Sequence, residues 1–106
     1  MGSYKLTEDA KDDLRRIYRY GIMEFGETQA DLYYDALFRH FDQIAKNPYL
    51  YQSVDFIRKG YRRSVCGVDS IFYRVVDDAV EIISILSRQD FCAGSQAGAW
   101  EPAQPE

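Results

Sequence analysis

Residues 7 to 48, TEDAKDDLRRIYRYGIMEFGETQADLYYDALFRHFDQIAKNP, decide the fold because they predict two consecutive helices. Thr7 is followed by two acids, which is typical of a helix start: a hydroxyl caps free N–H groups, and carboxylates favour the positive end of the helix dipole. Gly26 is expected to end the first helix. The pattern restarts at Thr28 and stops at Asn47-Pro48, since proline and its predecessor disfavour further helix.

Each predicted helix carries an apolar stripe with spacings of three and four residues, as an amphipathic helix does. The stripes are Ala10, Leu14, Ile17, Tyr18, Gly21, Ile22 and Phe25 in the first helix, and Ala30, Tyr33, Tyr34, Leu37, Phe38, Phe41, Ile44 and Ala45 in the second. The aromatic residues of the second stripe are assigned to core packing rather than to binding. Helices joined by about two residues must run antiparallel, so residues 8 to 46 predict a helical hairpin.

The chain on either side of the hairpin predicts strands. Residues 4 to 7 look extended, and residues 61 to 66, 70 to 76 and 80 to 86 are rich in β-branched and aromatic residues. Tight connections between the last three predict an antiparallel meander, and a sheet this small needs a covering layer, which only the hairpin supplies. The predicted class is α+β: an N-terminal strand and an antiparallel helical hairpin packed on a small antiparallel β-sheet.

Alternation along the strands predicts which side chains face the core. It places Arg62 and Ser64 on one face and Arg63 and Val65 on the other, and makes Arg74, beside Tyr73, the best candidate for an exposed functional residue on the sheet. In the last strand it places Val80, Ile82, Ser84 and Leu86 on one face, and Glu81, Ile83 and Ile85 on the other. Apolar groups on both faces indicate a central or well-covered strand.

Composition indicates one folded protein domain. The chain has 106 residues, 46% of them apolar and 28% charged, which is close to the usual globular balance. We expect one domain over residues 1 to 91 and a flexible tail over 92 to 106. No stretch approaches the roughly 18 apolar residues of a membrane span, and the N-terminus lacks a signal-peptide pattern, so a soluble, cytoplasmic protein is expected. Cys66 and Cys92 lack metal-site spacing and are expected to be free thiols, with neither cofactor nor metal.

A local concentration of positive charge stands out against a net charge of -4. Residues 56 to 65, FIRKGYRRSV, contain Arg58, Lys59, Arg62 and Arg63, with aromatic residues among them. Coating of nucleic acid needs a broad positive face, which this chain lacks, so direct binding of nucleic acid is not expected.

Five motifs, in order, resemble the ParE toxins of the RelE/ParE superfamily over residues 4 to about 91. They are Leu-Thr-x-x-Ala-x-x-Asp-Leu from Leu6, Phe-Gly-x-x-Gln-Ala from Phe25, Asn47-Pro48, Ile-Arg-x-Gly-Tyr-Arg from Ile57, and Phe-Tyr-Arg-Val from Phe72. The resemblance implies a toxin that stalls bacterial growth by acting on DNA gyrase and is silenced by a ParD-like antitoxin, with higher-order toxin–antitoxin assemblies possible. It also implies a helical hairpin on an antiparallel sheet whose first strand is N-terminal.

The chain departs from the family at the end of the last strand. Many ParE-like sequences end this strand with Ile-Leu-His, whereas this chain has Ile85-Leu86-Ser87 followed by Arg88. Any role that needs an imidazole at this position is therefore in doubt. The only histidine is His40, which we interpret as a surface or packing residue of the second helix because no nucleophile or acid is placed by sequence to work with it.

Two other functions remain open from the sequence. A RelE-like ribosome-dependent mRNA endoribonuclease needs cations and a proton carrier; Arg62, Arg63, Arg74 and Arg88 offer the charge, but neither Tyr nor His lies near Arg88, so a non-enzymatic toxin is favoured. A non-toxic ParE-like module that only binds antitoxin is the other.

The basic stretch is interpreted as an anchor for an acidic antitoxin segment, because guanidinium groups bind carboxylates in pairs of hydrogen bonds. The candidate antitoxin- or target-binding residues are Arg58, Lys59, Arg62, Arg63, Arg74 and Arg88. The competing interpretation is that these are solvated cations of a strand edge that only discourage aggregation between sheets.

Overall fold

The computed structural model describes residues 3 to 87, which form two helices and five strands. In chain order these are β1 (Tyr4–Leu6), α1 (Glu8–Phe25), α2 (Glu27–Lys46), β2 (Gln52–Ser53), β3 (Arg62–Cys66), β4 (Asp69–Val76) and β5 (Ala79–Ser87). The helical hairpin and the three-stranded meander predicted from the sequence are confirmed. The predicted tail, residues 92 to 106, lies outside the described residues, as does Arg88.

Local chemistry sets the bounds of the hairpin. The Thr7 hydroxyl accepts a hydrogen bond from the Ala10 N–H at 3.0 Å and so caps α1, as predicted. Gly26, at a φ of 91°, ends α1 and alone connects the two helices. The helix α2 therefore begins at Glu27, one residue before the predicted restart at Thr28, because a glycine at positive φ reverses the chain within a single residue.

The sheet is mixed, with the strand order β1-β5-β4-β3-β2. The strands from β2 to β5 are antiparallel neighbours, whereas β1 pairs in parallel with β5. The helical hairpin intervenes between the two parallel strands and supplies the crossover that parallel pairing requires. The two-residue strand β2 was not predicted, because Gln52 and Ser53 are exposed and carry no alternating apolar pattern.

A β-bulge in β5 overturns the strict alternation predicted for that strand. Phe72 lies opposite Ser84 and Tyr73 lies opposite Ile82, so Ile83 is the extra residue. An extra residue shifts the pleat by one position. Val80, Ile82 and Ile85 consequently share the core, although Ile85 was expected on the opposite face from the other two.

Side chains of α1 and of its capping residue Thr7 bind the outer edge of β5 beyond the end of β1. The Thr7 hydroxyl donates to the bulge carbonyl of Ile83 at 2.8 Å. Two residues further along β5, the Ile85 N–H donates to the Asp13 carboxylate at 2.9 Å, and the Arg16 guanidinium donates to the Ile85 carbonyl at 3.2 Å. Backbone groups that a further strand would pair with are thus satisfied from the helix.

The core lies between the hairpin and one face of the sheet. Its fully buried side chains include Leu37, Phe41, Ile44, Ile71, Tyr73, Val80, Ile82 and Ile85. Phe41 is fully buried, and Tyr33, Tyr34 and Phe38 are partly buried and pack against the core, so the assignment of these aromatics to packing is confirmed. Within residues 3 to 87, neither helix is long and apolar enough to cross a bilayer.

The first apolar stripe ends earlier than predicted. Ile17 is the last buried residue of α1, whereas Ile22 and Phe25 are exposed. Gly21 still contacts the other helix, since a Cβ placed there would lie 3.3 Å from the Cβ of Ala30. The end of α1 therefore packs on α2 and not on the sheet, and its outer apolar side chains meet solvent.

Candidate functional site

The loop between β2 and β3 is built on a single buried side chain, Val54. The Val54 N–H donates to the Tyr61 carbonyl at 2.9 Å, and the Val54 carbonyl accepts from Ile57 at 2.8 Å. Gly60, at a φ of 87°, donates its N–H to the Asp55 carboxylate at 2.8 Å. This network holds residues 54 to 61 in one compact loop at the edge of the sheet.

Arg62 fastens this loop to the segment that leaves α2. Its guanidinium donates to the Tyr51 carbonyl at 2.7 Å and lies over the Tyr49 ring, 5.0 Å from the centroid. Both contacts are attractive, the second through the ring quadrupole. Arg62 therefore has a structural role, and its guanidinium is already held in one position in the absence of a ligand.

Arg58 and Lys59 are the cations that the loop presents to solvent. The Arg58 guanidinium lies 6.0 Å from the centroid of the Tyr61 ring. Lys59 makes neither a hydrogen bond nor an ion pair with any part of the chain that the structure describes. We refer to Arg58, Lys59 and Arg62 together as the basic corner.

The other predicted cations lie elsewhere. Arg63 donates to the buried Ser70 hydroxyl at 3.0 Å across β3 and β4, on the opposite face from Ser64. The alternation predicted for this strand is confirmed, because Ser64 is buried beneath α2. Arg74 is exposed on the sheet, as predicted, but forms an ion pair with Glu81 at 2.8 Å. The basic stretch is thus divided between two faces of the sheet.

The basic corner also carries exposed apolar side chains. Tyr49, Leu50, Phe56 and Ile57 are all exposed, and they lie on the loop or on the segment that Arg62 fastens to it. Cations next to exposed apolar groups suit an amphipathic acidic ligand, because one partner surface satisfies both. Sequence reasoning found the charges here but not the apolar residues beside them.

His40 and Ser64 form a contact that resembles a catalytic pair only in composition. Their Nε2 and Oγ atoms are 2.8 Å apart. Ser64 is buried, with 2% of its surface exposed, so a substrate does not reach its hydroxyl. Burial lowers the pKa of His40 below its ordinary value, which favours the neutral imidazole. The pair joins α2 to β3, consistent with the packing role predicted for His40.

A second buried polar cluster joins α2 to the turn between β3 and β4. The Tyr33 hydroxyl lies 2.6 Å from the Asp69 carboxylate and 2.7 Å from the Cys66 carbonyl. Burial and the hydrogen bond to Asp69 raise the pKa of Tyr33 far above its ordinary value. Burial also raises the pKa of the free Cys66 thiol, which disfavours the reactive thiolate. Sequence reasoning missed this cluster, and its burial gives it a structural role.

The opposite end of α2 carries a different exposed surface. We call residues 20 to 32, where α1 ends and α2 begins, the hairpin tip. Every residue from 22 to 29 is exposed. The large apolar side chains exposed on the tip are Tyr20, Ile22, Met23, Phe25 and Leu32.

Comparison with known proteins places the chain among toxins of bacterial toxin–antitoxin systems. A family model described as "ParE toxin of type II toxin-antitoxin system, parDE" matches residues 4–90. The chain is 38% identical over 86 residues to Toxin ParE1 of Caulobacter vibrioides, covering 81% of this chain and 88% of the relative. It is 30% identical over 87 residues to Toxin ParE1 of Mycobacterium tuberculosis, covering 81% and 89%.

Solved structures share the fold at lower sequence identity. The chromosomal ParDE system of P. aeruginosa contains a chain that matches with a TM-score of 0.72 at 20% identity, covering 82% of this chain and 96% of that one. The RelBE2 toxin–antitoxin complex of M. tuberculosis matches with a TM-score of 0.56 at 17% identity, covering 84% and 93%. Because the family model spans most of the sequence, this chain belongs to the ParE toxin family of type II toxin–antitoxin systems, and its partner is an antitoxin.

Proposed function

We propose that this toxin acts in the cytoplasm, where it arrests bacterial growth by binding DNA gyrase without covalent chemistry, and that a ParD-like antitoxin silences it. The observation that carries the proposal is the match of residues 4–90 to the ParE family, supported by the relative in Caulobacter vibrioides. The fold shared with a chain of the P. aeruginosa ParDE system is consistent with it.

The basic corner supports the antitoxin half of the proposal. Arg62 is fixed by the Tyr51 carbonyl and the Tyr49 ring, so little side-chain entropy remains to be lost when a carboxylate binds. Arg58 and Lys59 present charge beside exposed apolar side chains. An acidic antitoxin segment that is disordered until bound fits this combination, because it places carboxylates on the cations and apolar side chains on Leu50 and Phe56.

A non-covalent mode of action is supported by the state of the polar groups among residues 3 to 87. The Ser64 hydroxyl is buried against His40, the Cys66 thiol is buried, and Arg74 is neutralised by Glu81. General acid–base catalysis on RNA needs a proton carrier within reach of the scissile phosphate. Among residues 3 to 87, the pair that resembles a catalytic set is His40 and Ser64, and it links α2 to β3.

A supercoiling assay tests the target. Purified gyrase is incubated with relaxed plasmid, ATP and increasing amounts of the toxin, and we expect supercoiling to be lost and to return when the cognate antitoxin is added. Ribosomes translating a defined transcript serve as the parallel assay, and the transcript should stay intact. Cleaved transcript with gyrase unaffected would establish the ribonuclease alternative, and unimpeded growth on expression without antitoxin would leave only a binding module.

Charge reversal tests the antitoxin site. The variant Arg58→Glu/Lys59→Glu should weaken antitoxin binding, by about 2 to 5 kcal/mol for each contact that is buried in the complex. The matched control is Arg15→Glu/Arg19→Glu, which makes the same change of charge on the exposed face of α1. Equal affinity of both variants for the antitoxin contradicts the assignment of the basic corner.

A further inference from the structure

We propose that the hairpin tip is a second docking surface, separate from the basic corner, and that it binds a basic, apolar groove on the protein that the toxin attacks. This inference rests on the proposed function, since it assigns the surface by which the toxin reaches its target.

The shape of the tip favours insertion into a groove. After Ile17 no residue of α1 is buried, and the first buried residue of α2 is Ala30, so the intervening turns extend past the sheet. The close contact of Gly21 with Ala30 keeps the two helices together. A projecting pair of helix ends, joined by one residue, enters a concave partner surface as helices in grooves do.

The apolar side chains of the tip are left exposed by the rest of residues 3 to 87. Met23 is 75% exposed and Phe25 is 67% exposed. Ile22 and Phe25 are three residues apart and therefore neighbours on the helix surface. Exposed apolar residues in a cluster, rather than singly, mark a surface that binds a partner.

The charge of the tip indicates what kind of partner binds. Residues 20 to 32 contain Glu24, Glu27 and Asp31, and neither Lys nor Arg. The basic corner follows the other end of α2, which has 20 residues and is thus about 30 Å long. An acidic ligand of the basic corner is repelled by the tip, so the two surfaces select different partners and the tip selects a basic one.

A second copy of the toxin also offers a basic surface, namely its own basic corner. Such a contact joins two different patches, so it is head-to-tail and leaves both outer patches free to add further copies. It would also occupy the surface assigned to the antitoxin. A basic groove on the target protein is free of both objections, and we commit to it as the occupant.

Paired truncations test the assignment. The variant Met23→Ala/Phe25→Ala removes exposed side chains of the tip, and the matched control Leu50→Ala/Phe56→Ala removes exposed side chains beside the basic corner. We expect the tip variant to inhibit gyrase at least about 30-fold less and to arrest growth no longer, while it binds antitoxin with unchanged affinity. The control should inhibit gyrase like the wild type and bind antitoxin more weakly.

The readouts separate failure of this inference from failure of the proposed function. If wild-type toxin arrests growth without inhibiting gyrase, the gyrase proposal fails, and loss of arrest in the tip variant alone still supports the tip as the target surface. A tip variant that inhibits or arrests like the wild type overturns the inference. The inference is also overturned if the tip variant loses antitoxin binding. It is overturned as well if light scattering shows that the wild type self-associates and the tip variant does not. Thermal unfolding of both variants verifies that the fold is intact.

Discussion

The basic corner and the hairpin tip are both exposed and both rich in large apolar side chains, yet they are built in different ways. The corner is an irregular loop whose shape depends on hydrogen bonds that Val54 donates and accepts, that Asp55 accepts from Gly60 and that Arg62 donates to Tyr51. The tip consists of two regular helix ends, which meet where Gly21 contacts Ala30. The first surface is shaped by hydrogen bonds within one loop, and the second by contacts between two helices, namely Gly21 with Ala30 and the Tyr18 hydroxyl with Asp31.

This difference has a consequence for how each surface fails. A loop held by specific side chains loses its shape when one of them is removed, whereas helix ends keep their backbone conformation through most exposed substitutions. The corner should therefore be sensitive to single changes beneath it, and the tip should respond mainly to changes at the point where the helices meet.

The largest effect is expected at Tyr73, which lies beneath the basic corner. Its ring is fully buried and its hydroxyl donates to the Pro48 carbonyl at 2.7 Å. Tyr73→Ala should lower the free energy of unfolding by about 3 to 5 kcal/mol, and Tyr73→Phe, which removes only the hydrogen bond, by about 1 to 2 kcal/mol. Urea unfolding measures both, and equal losses in the two variants would contradict the assignment.

A smaller effect is expected at Gly21, where the tip is held together. Gly21→Leu must push α2 away from α1, because a Cβ already meets that of Ala30 at 3.3 Å, and it should cost about 2 kcal/mol. Gly21→Ala is the control and should stay within about 1 kcal/mol of the wild type, since its gain in helix propensity offsets the tight contact. In Gly21→Leu, the rate of amide hydrogen exchange should rise at the tip and not at the corner. An equal rise in both regions would contradict the view that the two surfaces are stabilised independently.

Arg62 and Arg58 provide a matched pair within the basic corner. Arg62→Ala removes the hydrogen bond to Tyr51 and the contact with Tyr49, and should cost about 1 to 2 kcal/mol. Arg58→Ala should change the free energy of unfolding by less than about 0.5 kcal/mol. Chemical denaturation of both variants measures this difference. If Arg58→Ala proves the more destabilising, the division into structural and presented cations is wrong.

The smallest effect concerns pH and comes from His40, the only histidine of the sequence, whose ring contacts the Ser64 hydroxyl. Burial lowers the pKa of His40 in the folded state, so below its ordinary pKa the unfolded chain binds more protons. Stability should fall as the pH drops from the ordinary pKa towards the folded-state pKa, with a slope no steeper than about 1.4 kcal/mol per pH unit. The difference between wild-type and His40→Gln stability curves isolates this contribution, and a constant difference across pH 4 to 8 would contradict it.

Most of the fold could be predicted from the sequence, because it depends on interactions between residues that are close along the chain. Thr7 before two acids and Pro48 after a helical stripe locate the hairpin, and the β-branched runs locate the meander, because caps, proline and side-chain shape act within a few residues. The bulge at Ile83 was missed, since it depends on how β5 meets β4 and β1. Parallel pairing of β1 is likewise decided by a contact between distant parts of the chain.

The candidate site was predicted only as a set of charges. Arg58, Lys59 and Arg62 were found because they lie within five positions of one another in the sequence, but the hydrogen bonds from Arg62 to Tyr51 and from Arg63 to Ser70 join separate segments. The exposed end of α1 was missed for the opposite reason: Ile22 and Phe25 continue a regular apolar stripe, and periodicity does not tell where the covering sheet stops.

The side chains of Thr7, Asp13 and Arg16 that bind the outer edge of β5 also oppose the addition of a further strand at that edge. A foreign strand approaching residues 83 to 85 would have to displace Thr7, Asp13 and Arg16 from Ile83 and Ile85 before it gained a single backbone bond. This opposes edge-to-edge association of sheets from two toxin molecules at that edge. The opposite rim of the sheet is formed by β2, next to the cations of the basic corner.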